Sequence, residues 1–312
     1  MRQSKIFFTT WIFLLLPLCI YAEPNNGEIE NSIISYEDAL VFGLVEGITE
    51  FLPVSSTGHL ILANEWMMDP STLDYSQQEA INAYLIVIQA GAIFAVALLY
   101  ARRIYIILLG FLGLNSMGRK LGFNLLAGFA PAAITGPFLD SWIESFLFGS
   151  LPVAIALILG AGLMYWAEKR KINQEKMGQV EGKNLEDLSI GDSIMVGLLQ
   201  CVAMCPGTSR SMMTIIGGYL AGLSRGQSAE FSFLLGLVTL TAAAVYKGAT
   251  KGNEILENLQ FGPMFFGCLI AGVSAALSVR WLVGYLSKRG LGLFVWYRLF
   301  LGLFVLFYFW KF

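Results

Sequence analysis

Glu46 and Glu50 stand four residues apart, and Ser55, Ser56, Thr57 and His59 follow just beyond Pro53. A second polar run, Pro206-Gly207-Thr208-Ser209-Arg210-Ser211, lies in the other half of the chain. Both runs sit inside apolar stretches. A charged side chain at the middle of a membrane helix costs about 2.5–3.5 kcal/mol on insertion scales, so such residues mark a site. On a helix, the four-residue spacing puts both carboxylates on one face. Two bare carboxylates in a low dielectric cannot both stay ionised unless a cation lies between them. A hard divalent cation, Mg²⁺ or Ca²⁺, suits two carboxylates plus phosphate oxygens, which makes Glu46 and Glu50 candidate metal ligands. The plainer alternative is that one glutamate is protonated, or pairs with Arg210 or Arg298. Ser56 and His59 form a minimal nucleophile–base pair, and His59 can equally serve as nucleophile or general acid toward phosphorus. A lone histidine on an apolar face is commonly a packing residue, but here hydroxyls and carboxylates surround it.

The second run has the form of a phosphate cradle. Gly207 lets the backbone approach an anion, and Thr208 or Ser209 can cap the helix that follows. The free N–H groups at that helix start favour phosphate. Arg210 can bind phosphate oxygens bidentately and stabilise transition-state charge. Ser55, Thr57 and Ser211 add hydroxyls for the same anion. Arg298 sits inside the last apolar segment, where countering a glutamate, binding phosphate and a purely structural role stand level. Glu230 reads as a helix-end residue. Cys201 and Cys205, four apart, read as small apolar packers.

The chain has 312 residues, of which 56% are hydrophobic and 13% charged. Its mean hydropathy is +0.65. That profile belongs to a polytopic helical membrane protein. No segment forms a basic face with interleaved aromatics, so no nucleic-acid partner is expected. Arg2 and Lys5, then an apolar run to Ile20 and a cleavage edge at Ala22, read as a signal peptide or N-terminal anchor over residues 1–22. Residues 23–36 read as a polar tail outside the cytoplasm, and 37–312 as a single integral-membrane domain.

Six segments are apolar and long enough to span: about 80–100, 121–139, 150–167, 229–246, 262–284 and 291–311. Two more, about 37–63 and 190–222, are broken by Pro53 and by Pro206-Gly207. Arg102, Arg103, Arg119 and Lys120 fill one loop, Lys169 to Lys183 a second, and Lys288 with Arg289 a third. These charges belong on the cytoplasmic side. The count of crossings between them works only if both broken segments are re-entrant hairpins, one entering from each face. Gly43-Leu44-Val45-Glu46 echoes Gly197-Leu198-Leu199-Gln200. The fold expected is therefore all-α and polytopic, an inverted-topology repeat with two re-entrant helical hairpins and six transmembrane helices. Repeat one covers about 37–139 and repeat two about 190–284. Such repeats place their site near the midplane, where the broken segments meet.

The fourteen residues from Glu46 to His59 resemble the first signature of the undecaprenyl-diphosphate phosphatase, or bacitracin-resistance, family. Pro206 to Ser211 resemble its second, and Ser224-Arg225, Ala229 to Leu235 and Tyr297-Arg298 add agreement. The resemblance implies an enzyme of the bacterial inner membrane whose site opens to the periplasmic face. It implies hydrolysis of a polyprenyl diphosphate lipid to the monophosphate carrier used in peptidoglycan synthesis, with a divalent cation. It implies catalytic roles for Glu50, Ser56, His59 and Arg210. Three departures from the family pattern stand out: Met212 in place of a glycine, Leu85 in place of an acid and Val238 in place of a proline. A methionine at 212 has the bulk to narrow the phosphate loop, which leaves rate and fine substrate preference open. A homodimer is left open. The rival reading is an inverted-repeat transporter or lipid flippase. Against it stands the gathering of two carboxylates, a serine and a histidine in one run, which anion carriage does not need. A third reading is a catalytically weakened relative with a binding or resistance role, motivated by Met212.

Overall fold

The computed structural model describes residues 34–68, 75–177, 182–258 and 261–310. The expected signal or anchor at 1–22, and residues 23–33 of the tail, lie outside them. The described chain is all-α. It runs α1 (Tyr36–Thr49), α2 (Ser56–Met67), α3 (Tyr75–Leu99), α4 (Ala101–Phe111), α5 (Ser116–Leu147) and α6 (Ser150–Lys176). A 3₁₀ turn at Leu185–Asp187 leads to α7 (Ile190–Val202), α8 (Arg210–Leu220), α9 (Arg225–Asn258), α10 (Phe261–Arg289) and α11 (Gly292–Trp310).

Among the described residues, five helices carry stretches long and apolar enough to cross a membrane: Ala80–Leu99, Ser116–Asp140, Ser150–Lys176, Arg225–Thr250 and Phe261–Arg289. Six were expected. The sixth, α11, is shorter, with its apolar part at Gly292–Tyr308. Its 19 residues reach about 28 Å at 1.5 Å per residue, close to the hydrocarbon thickness. It packs along α6.

The basic residues sit differently from the expected loops. Arg102 and Arg103 lie on α4, a helix whose apolar residues pack onto α5, where the Phe111 and Phe123 rings are 5.8 Å apart. Its spacing is amphipathic and its 11 residues are too short to span, so a helix stands where a loop was expected. Lys169, Arg170, Lys171 and Lys176 lie on the last turns of α6, and Lys288 and Arg289 end α10. All gather at one end of the bundle. There Arg103 pairs with Glu230 at 2.6 Å and Glu186 at 3.5 Å, and Arg225 pairs with Glu168 at 2.6 Å. Glu168 also accepts from the Leu291 backbone N–H at 3.0 Å, which ties α6 to the turn before α11.

The two hairpins enter from opposite ends. α7 starts and α8 finishes at the basic end, where the Lys183 N–H donates to the Gly222 carbonyl at 2.8 Å. α1 starts and α2 finishes at the other end. Tyr36 there meets Phe266 of α10 at 5.7 Å, and Trp66 meets Phe304 of α11 at 6.1 Å. The four hairpin helices hold 14, 12, 13 and 11 residues, each too short to cross alone.

The halves repeat at a constant offset. Ser35 and Asp38 form a capping box that starts α1, and Ser189 and Asp192 form one that starts α7. Gly43 and Gly197 occupy equivalent positions, and each admits a helix of the other half. A Cβ on Gly43 would lie 2.7 Å from the Gly267 carbonyl oxygen, and one on Gly197 would lie 2.2 Å from that of Gly128. Thus α1 packs on α10 while α7 packs on α5. Each half covers the hairpin of the other.

Replacing Gly197 by valine should force α7 off α5, at a cost of about 1–3 kcal/mol. Replacing Gly162, whose Cβ would meet nothing within 4 Å, by alanine should leave stability unchanged or slightly raised. Thermal unfolding of the detergent-solubilised protein separates the two. Equal midpoints would mean that the close helix approach does not hold the halves together.

Candidate active site

Both hairpins break in the same way. After α1 the chain turns through Glu50 to Ser55, and after α7 it turns through Ala203 to Ser209. Ser55 and Ser209 are the N-caps of α2 and α8, with φ of 75° and 76°. They are the only non-glycine residues with positive φ among those described. Such a conformation costs of order 1–3 kcal/mol and persists only where the surroundings impose it. Each seryl oxygen accepts from the N–H three residues on, Gly58 at 3.3 Å and Met212 at 3.3 Å.

The next residue in each hairpin is Ser56 in the first and Arg210 in the second. Both donate to Glu50. The Ser56 hydroxyl donates to Oε2. The Arg210 Nη2 donates to Oε1 at 2.9 Å. Glu50 is 6% exposed, so a carboxylate deep in the protein is held by one hydroxyl and one guanidinium from opposite hairpins. Arg210 is oriented by the Ser232 carbonyl at 3.2 Å and lies over the Phe51 ring at 5.3 Å. Thr214 and Ser232 hydroxyls meet at 2.6 Å behind it.

Glu46 lies one turn before Glu50, fully buried, and neither carboxylate oxygen has a hydrogen-bond partner. Gln89 of α3 is the polar side chain that faces it. It does not pair with Arg210 or Arg298. Its repeat equivalent is Gln200, which accepts from Thr239 at 3.2 Å and leaves its amide nitrogen unpartnered.

The remaining members fall into two groups. Ser209 and Ser211 hydroxyls meet at 3.1 Å, and Ser211 donates to the Leu52 carbonyl at 2.7 Å, which links the second break to the first. Gly207 adopts φ of 87° and presents its carbonyl to Arg298. Thr208 is half-buried, and Thr57 is exposed at the start of α2. His59 is drawn to one side, between the Ser55 carbonyl and the Tyr297 hydroxyl.

Arg298 is fully buried, and its guanidinium is given over to backbone. It donates to the carbonyls of Gly207 at 2.8 Å, Ala156 at 3.2 Å and Pro53 at 3.5 Å. Of the three roles level in sequence, the structural one matches these contacts. Tyr297, Ser232, Thr214 and Gln200 carried no assigned role in the sequence reading. Only the Gly-Leu-x-Glu/Gln echo pointed toward Gln200. The Met212 side chain is buried in the main core, and its methyl carbon lies 3.2 Å from where a Cβ on Gly160 would stand. Leu85 packs at the edge of a core cluster around Phe42 and Tyr84. Val238 is half-buried on α9.

A family profile described as bacitracin resistance protein BacA matches residues 39–304. The chain is 41% identical over 268 residues to undecaprenyl-diphosphatase 2 of Rhodospirillum rubrum, covering 86% of this chain and 93% of that protein. It is 40% identical over 274 residues to the undecaprenyl-diphosphatase of Variovorax paradoxus, covering 88% and 95%. It is 42% identical over 268 residues to that of Acidovorax ebreus, covering 86% and 93%.

Replacing Arg298 by methionine keeps apolar bulk and strips three buried carbonyls of their donor. Unfolding in detergent should then lose about 2–3 kcal/mol. An unchanged midpoint would show that the breaks hold their shape without it.

Proposed function

The chain belongs to the bacitracin resistance protein BacA family, and we propose that it is an undecaprenyl-diphosphatase that returns the carrier lipid to its monophosphate form. The observation that carries the chemistry is the Ser56–Glu50–Arg210 constellation. A hydroxyl on a buried carboxylate has a proton acceptor in place, which is what a seryl nucleophile requires.

In this reading the diphosphate enters the hairpin junction with its terminal phosphorus in line with the Ser56 Oγ. Arg210 turns from Glu50 to the phosphate oxygens and spreads the charge that builds on them. The Ser56 proton passes to Glu50 as Oγ bonds to phosphorus. The bridging P–O bond breaks, and the lipid monophosphate leaves. Water then attacks the phosphoserine, one of its protons goes to bulk, and Glu50 returns its proton to the departing Oγ. The hydroxyls of Thr57 and Thr208 are further donors in this reading, while those of Ser209 and Ser211 hold the two breaks together.

The residues also fit a divalent cation. Glu46 offers two buried oxygens faced by a single amide, Gln89, with Glu50 one turn away. Among the described residues no third histidine, cysteine or acid joins them, so the remaining ligands would come from phosphate, water or backbone. Such an ion, Mg²⁺ or Ca²⁺, would neutralise phosphate charge.

The multi-pass fold supports a membrane site for a lipid substrate. The basic end is the cytoplasmic end in this reading. The first hairpin then enters from the periplasmic side of the inner membrane, and the diphosphate reaches the junction from there. Recycling of this carrier supplies cell-wall synthesis and confers bacitracin resistance.

Phosphate release from undecaprenyl diphosphate by the detergent-purified protein tests the reading. Release should need a divalent cation and stop with chelator. Ser56→Ala and Arg210→Ala should each lower kcat by about 10²–10³-fold. Glu46→Gln should raise the cation concentration needed for half-maximal rate. Full activity in either of the first two variants would remove that residue from the mechanism. A folded protein that binds the lipid without releasing phosphate would favour transport.

A further inference from the structure

Two consecutive residues of α11 hold the centre from behind. Arg298 ties the breaks together, and Tyr297 reaches His59. The imidazole is occupied on both nitrogens. Its Nδ1 lies 2.6 Å from the Ser55 carbonyl oxygen, and its Nε2 lies 2.6 Å from the Tyr297 hydroxyl. The two rings are nearly parallel, at 5° and 5.6 Å between centroids.

The neighbours assign the proton. A carbonyl oxygen only accepts, so Nδ1 must be the donor in that bond. In the neutral ring the lone pair is then on Nε2, and the phenol O–H is its donor. Ser55 is also the strained N-cap, so the imidazole holds the carbonyl of a residue at φ of 75°. Neither nitrogen is turned out toward an incoming phosphorus.

We propose that Tyr297 is a positioning residue of the centre, whose hydroxyl occupies Nε2 and locks His59 as a neutral Nδ1–H ring bracing the Ser55-Ser56 turn. His59 is then a support for the seryl nucleophile and not the attacking atom. The inference rests on the phosphatase reading for its kinetic consequence, and on geometry alone for the state of the ring.

His59 is the only histidine in the chain, so selective nitrogen-15 labelling gives one imidazole to observe by NMR. The wild-type protein should show a protonated Nδ1 and an Nε2 that accepts a hydrogen bond. Tyr297→Phe keeps the ring contact and removes only the hydroxyl. The Nε2 resonance should then move downfield as its lone pair loses the donor. In the same variant kcat should fall by about 10–100-fold with KM unchanged. A wild-type ring protonated on Nε2 would overturn the proposal, as would an unchanged Nε2 signal or an unchanged kcat in the variant. A rise in KM that accounts for the loss would also overturn it, because the phenol would then be touching substrate. The wild-type spectrum decides the ring state even if the variant folds poorly. Absence of phosphate release from wild-type protein with the expected spectrum would fail the phosphatase reading and not the ring assignment.

Discussion

At the depth where both hairpins break, lipid offers nothing to a free carbonyl or a free charge. Every polar group there must find its partner inside the protein. That constraint organises the centre of this molecule. The Arg298 guanidinium collects carbonyls from Pro53, Ala156 and Gly207, so one buried cation closes both breaks and joins them to α6. Ser211 adds the bond to Leu52. With the turns fixed in this way, Ser55 and Ser209 stand at positive φ, and Ser56 and Arg210 both reach Glu50.

The site is symmetric in backbone and asymmetric in side chain. Equivalent caps, breaks and helix starts recur in the two hairpins. On that common frame the carboxylate at 46 has an amide at 200 as its repeat counterpart, and the hydroxyl at 56 has a guanidinium at 210. One hairpin supplies the carboxylate and the hydroxyl, and the other supplies the guanidinium. A site made of two identical loops would place like charges opposite one another, which a low dielectric punishes. Divergence of the side chains is the physical condition for bringing the two loops into contact.

Much of this was legible in the chain. Apolar length gave the spans to within a few residues at most ends, and the basic residues gave the sense of the hairpins. The spacing of Glu46 and Glu50 placed them on one helix face, as found. What escaped depended on distant pairing. The pairing of Arg210 with Glu50, 160 positions away, stood among the alternatives, but nothing local says that the residue before Arg298 meets His59 from 238 positions away. The effect of Met212 stayed open in the sequence because helix direction decides where a side chain points, and α8 turns it into the core. The α4 helix was missed because a one-sided apolar stripe of eleven residues looks like a loop to any search for spans.

The exchange of helices between halves also bears on how the protein is made. Gly43 and the Ser274 hydroxyl that meets its carbonyl are 231 positions apart. The first hairpin therefore leaves the ribosome long before the helix that covers it has been translated. A broken helix with open carbonyls has no place in bare lipid. Its full covering needs α10, the helix that packs along α1. The first helices to emerge are therefore not the first whose cover is complete.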